Sequence, residues 1–264
     1  MGAKVTAQTS PLVLLSHSGG VSTVTLNRPD ILNAIGAEMT RDLIETLRIA
    51  DGEPSTGCIV LTGSGRAFCS GGDVSSMGEG PPLDRVLHRD WHLLNAVLGT
   101  EKPIIAMVNG AAVGLGATIA MSCDMTYITE DARIGDTHVI LGVLAGDGAI
   151  IPLLLNAGPA RTKEFVLRGQ LISGAQAAAS NIVTRALPAP ELASYTYRVA
   201  RDIAAQPSYA ARATKALLNR HLRWATSELL DASLAAELHS MQIPEYGEAV
   251  QRFKERQSAQ RMER

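Results

Sequence analysis

Residues 58–73 read CIVLTGSGRAFCSGGD and residues 103–123 read PIIAMVNGAAVGLGATIAMSC. Each stretch begins with a short apolar run, rich in β-branched residues and bounded by turn formers, which is the pattern of a buried strand. CIVLTG leads through the turn Gly63-Ser64-Gly65-Arg66 to a second short strand, AFCS. IIAMV leads through a turn to a small-residue helix after Gly114. Two glycine turns, Ser70-Gly71-Gly72-Asp73 and Gly114-Leu115-Gly116, each precede a helix. The first N–H groups of a helix lack internal partners. Two such donors from separate turns, converging on one carbonyl oxygen, would form an oxyanion hole worth a few kcal/mol per donor. Neither turn is a dinucleotide GxGxxG or a Walker loop. On glycine content alone, two plain tight turns are the simpler reading.

Outward from these stretches the pattern continues. LVLLSHS and VSTVTLN flank Gly19-Gly20, a hairpin signal. Met39, Leu43, Ile44 and Leu47 recur at helical spacing, with Asp51 and Gly52 closing the segment. An amphipathic segment follows Pro82, then the two strands and helix above, then the strand DMTYIT and the glycine-broken segment HVILGVLAGDGAIIPLLL. From Gly158 onward the chain predicts helices at Ala160–Arg168, Gly174–Ser180, Glu191–Ala205, Tyr209–Trp224 and Glu228–Met241. The expected organisation is an α/β core over residues 1–195 and a helical region over 196–264.

The chain has 264 residues, 24 basic and 26 acidic side chains and a net charge of −2. That balance leaves no basic field for a nucleic-acid backbone. Cys58, Cys69 and Cys123 are odd in number and lack metal or disulfide spacing, which points to a reducing, cytoplasmic setting. The apolar run near residue 12 is too short for a signal peptide. Residues 104–123 are too interrupted by glycine and Asn109 to be a membrane span.

VSTVTLNRPDILNAI (21–35), CIVLTGSGRAFCSGGDVSSM (58–77), KPIIAMVNGAAVGLGATIAMSCDMTYITEDARIG (102–135) and GPARTKEFVLRGQLISGAQAAASNIVTRALP (158–188) together resemble the enoyl-CoA hydratase/isomerase, or crotonase, family. The resemblance covers nearly the whole chain. It implies an α/β spiral of ββα units with a C-terminal helical trimerisation region, hence a homotrimer or a dimer of trimers. It implies an acyl-CoA thioester substrate, as in fatty acid metabolism, with coenzyme A entering as part of the substrate and no separate cofactor. It places the oxyanion donors on the backbone N–H groups of Gly72 and Leu115. Contacts to the coenzyme A portion fall at Ala34, Ser70, Gly71 and Asp73, and near Phe253, Lys254 and Arg256. A solvated charged tail is an equal reading of the last three.

Hydratases of that family use two glutamates, and this chain differs at both positions, which hold Thr118 and His138. His138, in IGDTHVILG, has an intrinsic pKa suited to proton transfer near neutrality. Asp147, in AGDGA, lies between glycines that would let a ligand or another side chain approach. The two are expected to form a His–Asp pair, although Asp147 also fits a helix N-cap. Their spacing also resembles a branch of the family that cleaves carbon–carbon bonds of cyclic β-diketones, the 6-oxocamphor hydrolase type. There a glutamate falls on Glu237 and a further histidine on Leu115. A member that binds acyl-CoA without turning it over is a third reading, kept open by Thr118. Cys69 reads as a buried small hydrophobe rather than a nucleophile. His88 and His92, four apart, lack a third metal ligand, so no metal site is expected. Trp91, with Leu87 and Leu94, is expected to pack.

Overall fold

The computed structural model describes residues 11–73, 83–148 and 150–262, and side chains over 11–73, 91–148 and 150–255. Residues 1–10 and the side chains of Leu87, His88 and Arg256 lie outside this description.

The hairpin β1 (Val13–Ser18) and β2 (Val21–Leu26) closes through Gly19 and Gly20, both at positive φ. Helix α1 (Ala37–Gly52) then returns the chain for a parallel strand β3 (Cys58–Gly63), which turns into the short β4 (Ala67–Cys69) and is followed by α2 (Leu83–Gly99). The same unit recurs as β5 (Ile104–Val108), β6 (Ala111–Val113) and α3 (Leu115–Ser122). It begins again with β7 (Met125–Thr129), β8 (Arg133–Gly135) and a 3-10 turn over His138–Leu141. Helices α4 (Ile150–Ala157) and α5 (Pro159–Arg168), strand β9 (Ile172–Ser173), helix α6 (Gly174–Ala179) and strand β10 (Arg185–Leu187) complete the core. The longer strands and the short β10 form a six-stranded sheet in the order β1-β2-β3-β5-β7-β10, and the remaining short ones a four-stranded sheet β4-β6-β8-β9. This is the expected spiral of ββα units.

The large sheet is parallel beyond its hairpin, and its central strands β3 and β5 are buried on both faces and carry the apolar runs CIVL and IIAMV. Successive side chains still alternate. Ile59, Leu61, Ile104, Ala106 and Ile128 join Met39, Leu43 and Leu47 of α1 in the main core. Cys58, Val60, Ile105, Met107 and Tyr127 face the other way, under Leu192 and Ala200 of α7 (Ala189–Ala204). Helix α7 crosses the expected division at residues 195 and 196.

The C-terminal region differs from expectation in two respects. The segments read as separate helices are one helix, α8 (Ser208–Ser240), and a further helix α9 (Pro244–Met262) follows it. Between the two expected segments, Thr226 and Ser227 satisfy their hydroxyls within the helix, on the Leu222 and Trp224 carbonyls at 2.8 Å each. Trp91, expected to pack, is 40 % exposed and meets the His92 ring edge-on, while Leu94 is buried. Among the described residues no helix is long and apolar enough to cross a membrane.

Candidate active site

The close approach of the two glycine turns follows from what their backbones lack. Gly71 has φ +102°, and a Cβ there would lie 2.9 Å from the Val113 carbonyl oxygen and 3.8 Å from the Leu115 nitrogen. Gly114 adopts φ 51°, ψ −124°, a conformation open in practice to glycine alone, and so aims the first N–H groups of α3. The Gly72 turn is fixed from its other side by Ile35. Ile35 N–H donates to the Gly71 carbonyl at 2.8 Å, and Asp73 N–H donates to the Ile35 carbonyl at 3.0 Å. In this parallel bridge the N–H of Gly72 itself points away from Ile35. Gly72 and Leu115 border one cavity of about 280 Å³.

The same cavity is bordered by Ser70, Gly71, His138, Asp147 and Glu237. The oxyanion donors and titratable groups expected from sequence are thus brought together. His138 stands at the start of its 3-10 turn, its Cε1 3.9 Å from where a Gly114 Cβ would be. Its Nδ1 is 2.8 Å from Asp136 Oδ1 and its Nε2 is 3.8 Å from Asp147 Oδ2. Asp147, 1 % exposed, accepts the Thr118 hydroxyl on Oδ2 at 2.7 Å. The Asp147 carboxylate, open in sequence to both a His–Asp pair and a helix cap, lies between Thr118 and His138, ahead of α4, which starts at Ile150.

Glu237 arrives from α8. A Cβ on Gly146 would lie 2.8 Å from Glu237 Oε2, so this glycine admits a side chain, as AGDGA suggested. The Ser233 hydroxyl donates to the Gly146 carbonyl at 3.1 Å and Leu144 N–H donates to the Ser240 hydroxyl at 3.0 Å. These bonds dock the Asp147 loop onto the helix that carries Glu237.

Burial by itself would lower the His138 pKa. The charges of Asp147, Asp136 and Glu237, together with the Asp136 hydrogen bond, outweigh it and raise the value to about 10. At neutral pH the ring is an imidazolium. Asp136, His138 and Asp147 also present donor atoms within 4.8 Å of one another, a set that would suit a cation. In this structure the set is an internal hydrogen-bonded and ion-paired group. Cys69 is fully buried and burial pushes its thiol up to about 12, which disqualifies it as a nucleophile at neutral pH.

The positions assigned to coenzyme A are close to one another in part. Arg28 Nη1 donates to the Ala34 carbonyl at 3.1 Å and to Asp73 Oδ2 at 3.2 Å, tying these two positions together beside Ser70 and Gly71. Phe253 of α9 borders the cavity with Tyr246 and Met241, and Lys254 is exposed next to it. Asp136 carried no weight in the sequence reading. The only available signal was local: an aspartate two residues before a candidate histidine, close enough for an Asx-type turn.

The two-sheet ββα spiral thus brings two glycine turns, an imidazole and carboxylates to one cavity. The chain belongs to the enoyl-CoA hydratase/isomerase family, whose sequence model matches residues 16–263. It is 33% identical over 216 residues to a protein of Rhizobium meliloti named "Probable enoyl-CoA hydratase", covering 82% of this chain and 84% of that one. It is 31% identical over 258 residues to the 1,2-epoxyphenylacetyl-CoA isomerase of Escherichia coli, covering 94% and 97%. A solved enoyl-CoA hydratase/isomerase from Mycobacterium paratuberculosis superimposes with a TM-score of 0.85 at 29% identity, over 93% of this chain and 99% of that one.

Proposed function

We propose that this enzyme hydrates a 2-enoyl-CoA, or shifts its double bond, through a thioester enolate held by the Gly72 and Leu115 N–H groups. The observation that carries the reading is that His138, Asp147 and both glycine turns border a single cavity, with 3.8 Å between His138 Nε2 and Asp147 Oδ2. Hydration needs one group to take a proton from water and another to give one to the α-carbon. The Asp147 carboxylate takes the water proton while the hydroxide adds to the β-carbon and the electron pair moves onto the thioester oxygen. The His138 imidazolium then protonates the α-carbon as the oxygen charge returns. This leaves a neutral imidazole beside a protonated Asp147, and proton transfer across the pair restores the starting state. A His–Asp pair thus does the work that two glutamates do in the better-known hydratases.

Coenzyme A binds as part of the substrate at Ala34, Ser70, Gly71 and Asp73, with Lys254 near it. A cytoplasmic homotrimer, or dimer of trimers, is the proposed assembly. The exposure of Leu217, Leu218 and Trp224 on α8 supports it, and light scattering on the purified protein decides it.

The experiment is turnover of crotonyl-CoA and longer enoyl-CoAs, followed by loss of enoyl absorbance, with wild type and His138→Ala. Some member turns over, and the variant loses at least ~100-fold, the scale of a missing acid–base group. Full activity in the variant overturns the assignment. Calorimetric binding of the esters without turnover favours a non-catalytic acyl-CoA binder. The buried Glu237 on the same cavity favours one second reading, hydrolytic carbon–carbon cleavage of a cyclic β-diketone by His138, Asp147 and Glu237. Loss of enol absorbance across a diketone panel distinguishes it.

A further inference from the structure

We infer that Asp136 is a positioning residue that fixes the His138 ring with its proton on Nδ1 and its Nε2 turned toward the reacting groups. The inference rests on His138 being the proton donor proposed above, and deepens that reading.

Asp136 is 1 % exposed, and its Oδ1 accepts twice from the same residue: from the His138 backbone N–H at 3.0 Å and from the ring Nδ1 at 2.8 Å. The backbone bond anchors the carboxylate, so the ring bond selects an orientation rather than following one. An imidazole flipped about its Cβ–Cγ bond would lose the Asp136 bond and carry Nε2 away from Asp147. With Nδ1 committed, Nε2 is the nitrogen left to exchange protons. Asp136 Oδ2 is buried and has no hydrogen-bond partner among the described residues. A half-satisfied buried carboxylate costs stability. A turn at this place needs only the backbone bond, which asparagine would supply without a charge.

The charged and titratable groups around the ring come from each element that packs on it. Asp136 precedes it, Asp147 comes from the loop before α4, Glu237 from α8, and Tyr246 from the start of α9. The end of α5 brings Arg168, which is paired at the surface with Glu164 at 2.7 Å. Helix α3 contributes Thr118, which is uncharged. Asp136 is the member of this set hydrogen-bonded to Nδ1.

The test is nitrogen-15 NMR of histidine-labelled full-length protein, with the His138 signals assigned by their absence in His138→Gln. In wild type above its titration midpoint, the neutral ring carries its proton on Nδ1. Asp136→Asn keeps both acceptor bonds and removes the charge. Its His138 midpoint falls by about one unit or more, and the alkaline limb of the kcat profile moves to lower pH with it. Asp136→Leu loses the Nδ1–H form altogether. An Nε2–H ring in wild type, or an unmoved midpoint in Asp136→Asn, overturns the inference. If Asp136→Asn does not fold, the wild-type tautomer decides alone. The spectra do not depend on turnover. Absence of hydration with the Nδ1–H ring and the shifted midpoint present would sink the hydration reading and leave the role of Asp136 standing.

Discussion

The Asp147 oxygen that faces the His138 ring at 3.8 Å is the same oxygen that takes the Thr118 hydroxyl at 2.7 Å. The family resemblance puts Thr118 where hydratases carry one of two glutamates, and here a carboxylate from a different loop meets its hydroxyl. The Thr118→Val variant removes the hydroxyl at nearly constant shape. A hydrogen bond to a charged group is worth about 1.5–3 kcal/mol, so kcat should fall about tenfold or more while KM changes little. Steady-state kinetics on whichever enoyl-CoA is turned over measures this. An unchanged kcat would mean that Thr118 only packs.

The raised His138 pKa sets the sign of a stability change with pH. The folded ring holds its proton up to about 10, against 6.5 for a free imidazole. Between those values the folded state binds a proton that the unfolded chain has released, so this contribution is fully present below 6.5 and is lost as pH rises through about 10. Urea denaturation of wild type and His138→Gln across that range should show the wild-type advantage shrinking toward alkaline pH. A difference that is flat with pH contradicts the imidazolium.

Gly114→Ala tests the oxyanion geometry without removing a titratable group; the added Cβ meets His138 Cε1 only at ordinary contact distance, 3.9 Å. At φ 51° and ψ −124° alanine is strained, and relief of that strain turns the Leu115 N–H. Loss of one oxyanion donor costs about 10²–10³ in kcat, and that is the expected drop, with circular dichroism still native. Normal kcat would place the carbonyl elsewhere.

Asn33 is a structural counterpart. It is fully buried at φ 56°, its amide donates to the carbonyls of Ser64, Ala67 and Phe68 at 2.9–3.2 Å, and its Oδ1 accepts from Arg28 N–H at 2.8 Å. It pins the loop carrying Ala34 and Ile35 to the β3–β4 turn. Asn33→Ala should destabilise by about 3 kcal/mol, from several lost bonds and stranded carbonyls. Asn33→Gly, spared the left-handed strain, should lose about 1 kcal/mol less. Chemical denaturation separates the two.

The hairpin, α1, the long strands and the glycine turns were legible in the sequence because each is set by local chemistry: a tight turn, a helical stripe, an apolar run. His138 and Asp147 were legible as a pair through resemblance and spacing. Strands β6, β8, β9 and β10 have two or three residues each, too few for any period to register. The Thr118–Asp147 bond joins residues 29 apart in sequence, and the Gly146–Glu237 contact joins residues from different layers. Such juxtapositions arise only once the second sheet and α8 are assembled. Thr226 and Ser227, residues that often cap helices, lie inside α8 with their hydroxyls bonded to carbonyls of the same helix.

Helix α8 runs roughly 50 Å at 1.5 Å per residue. Near one end Lys215 meets Asp124, at the entry to β7, at 2.8 Å, and near the other Glu237 lies in the cavity. The C-terminal part of the chain is therefore no interchangeable accessory. Grafting it from a relative would import a foreign wall for the cavity that Glu237 borders.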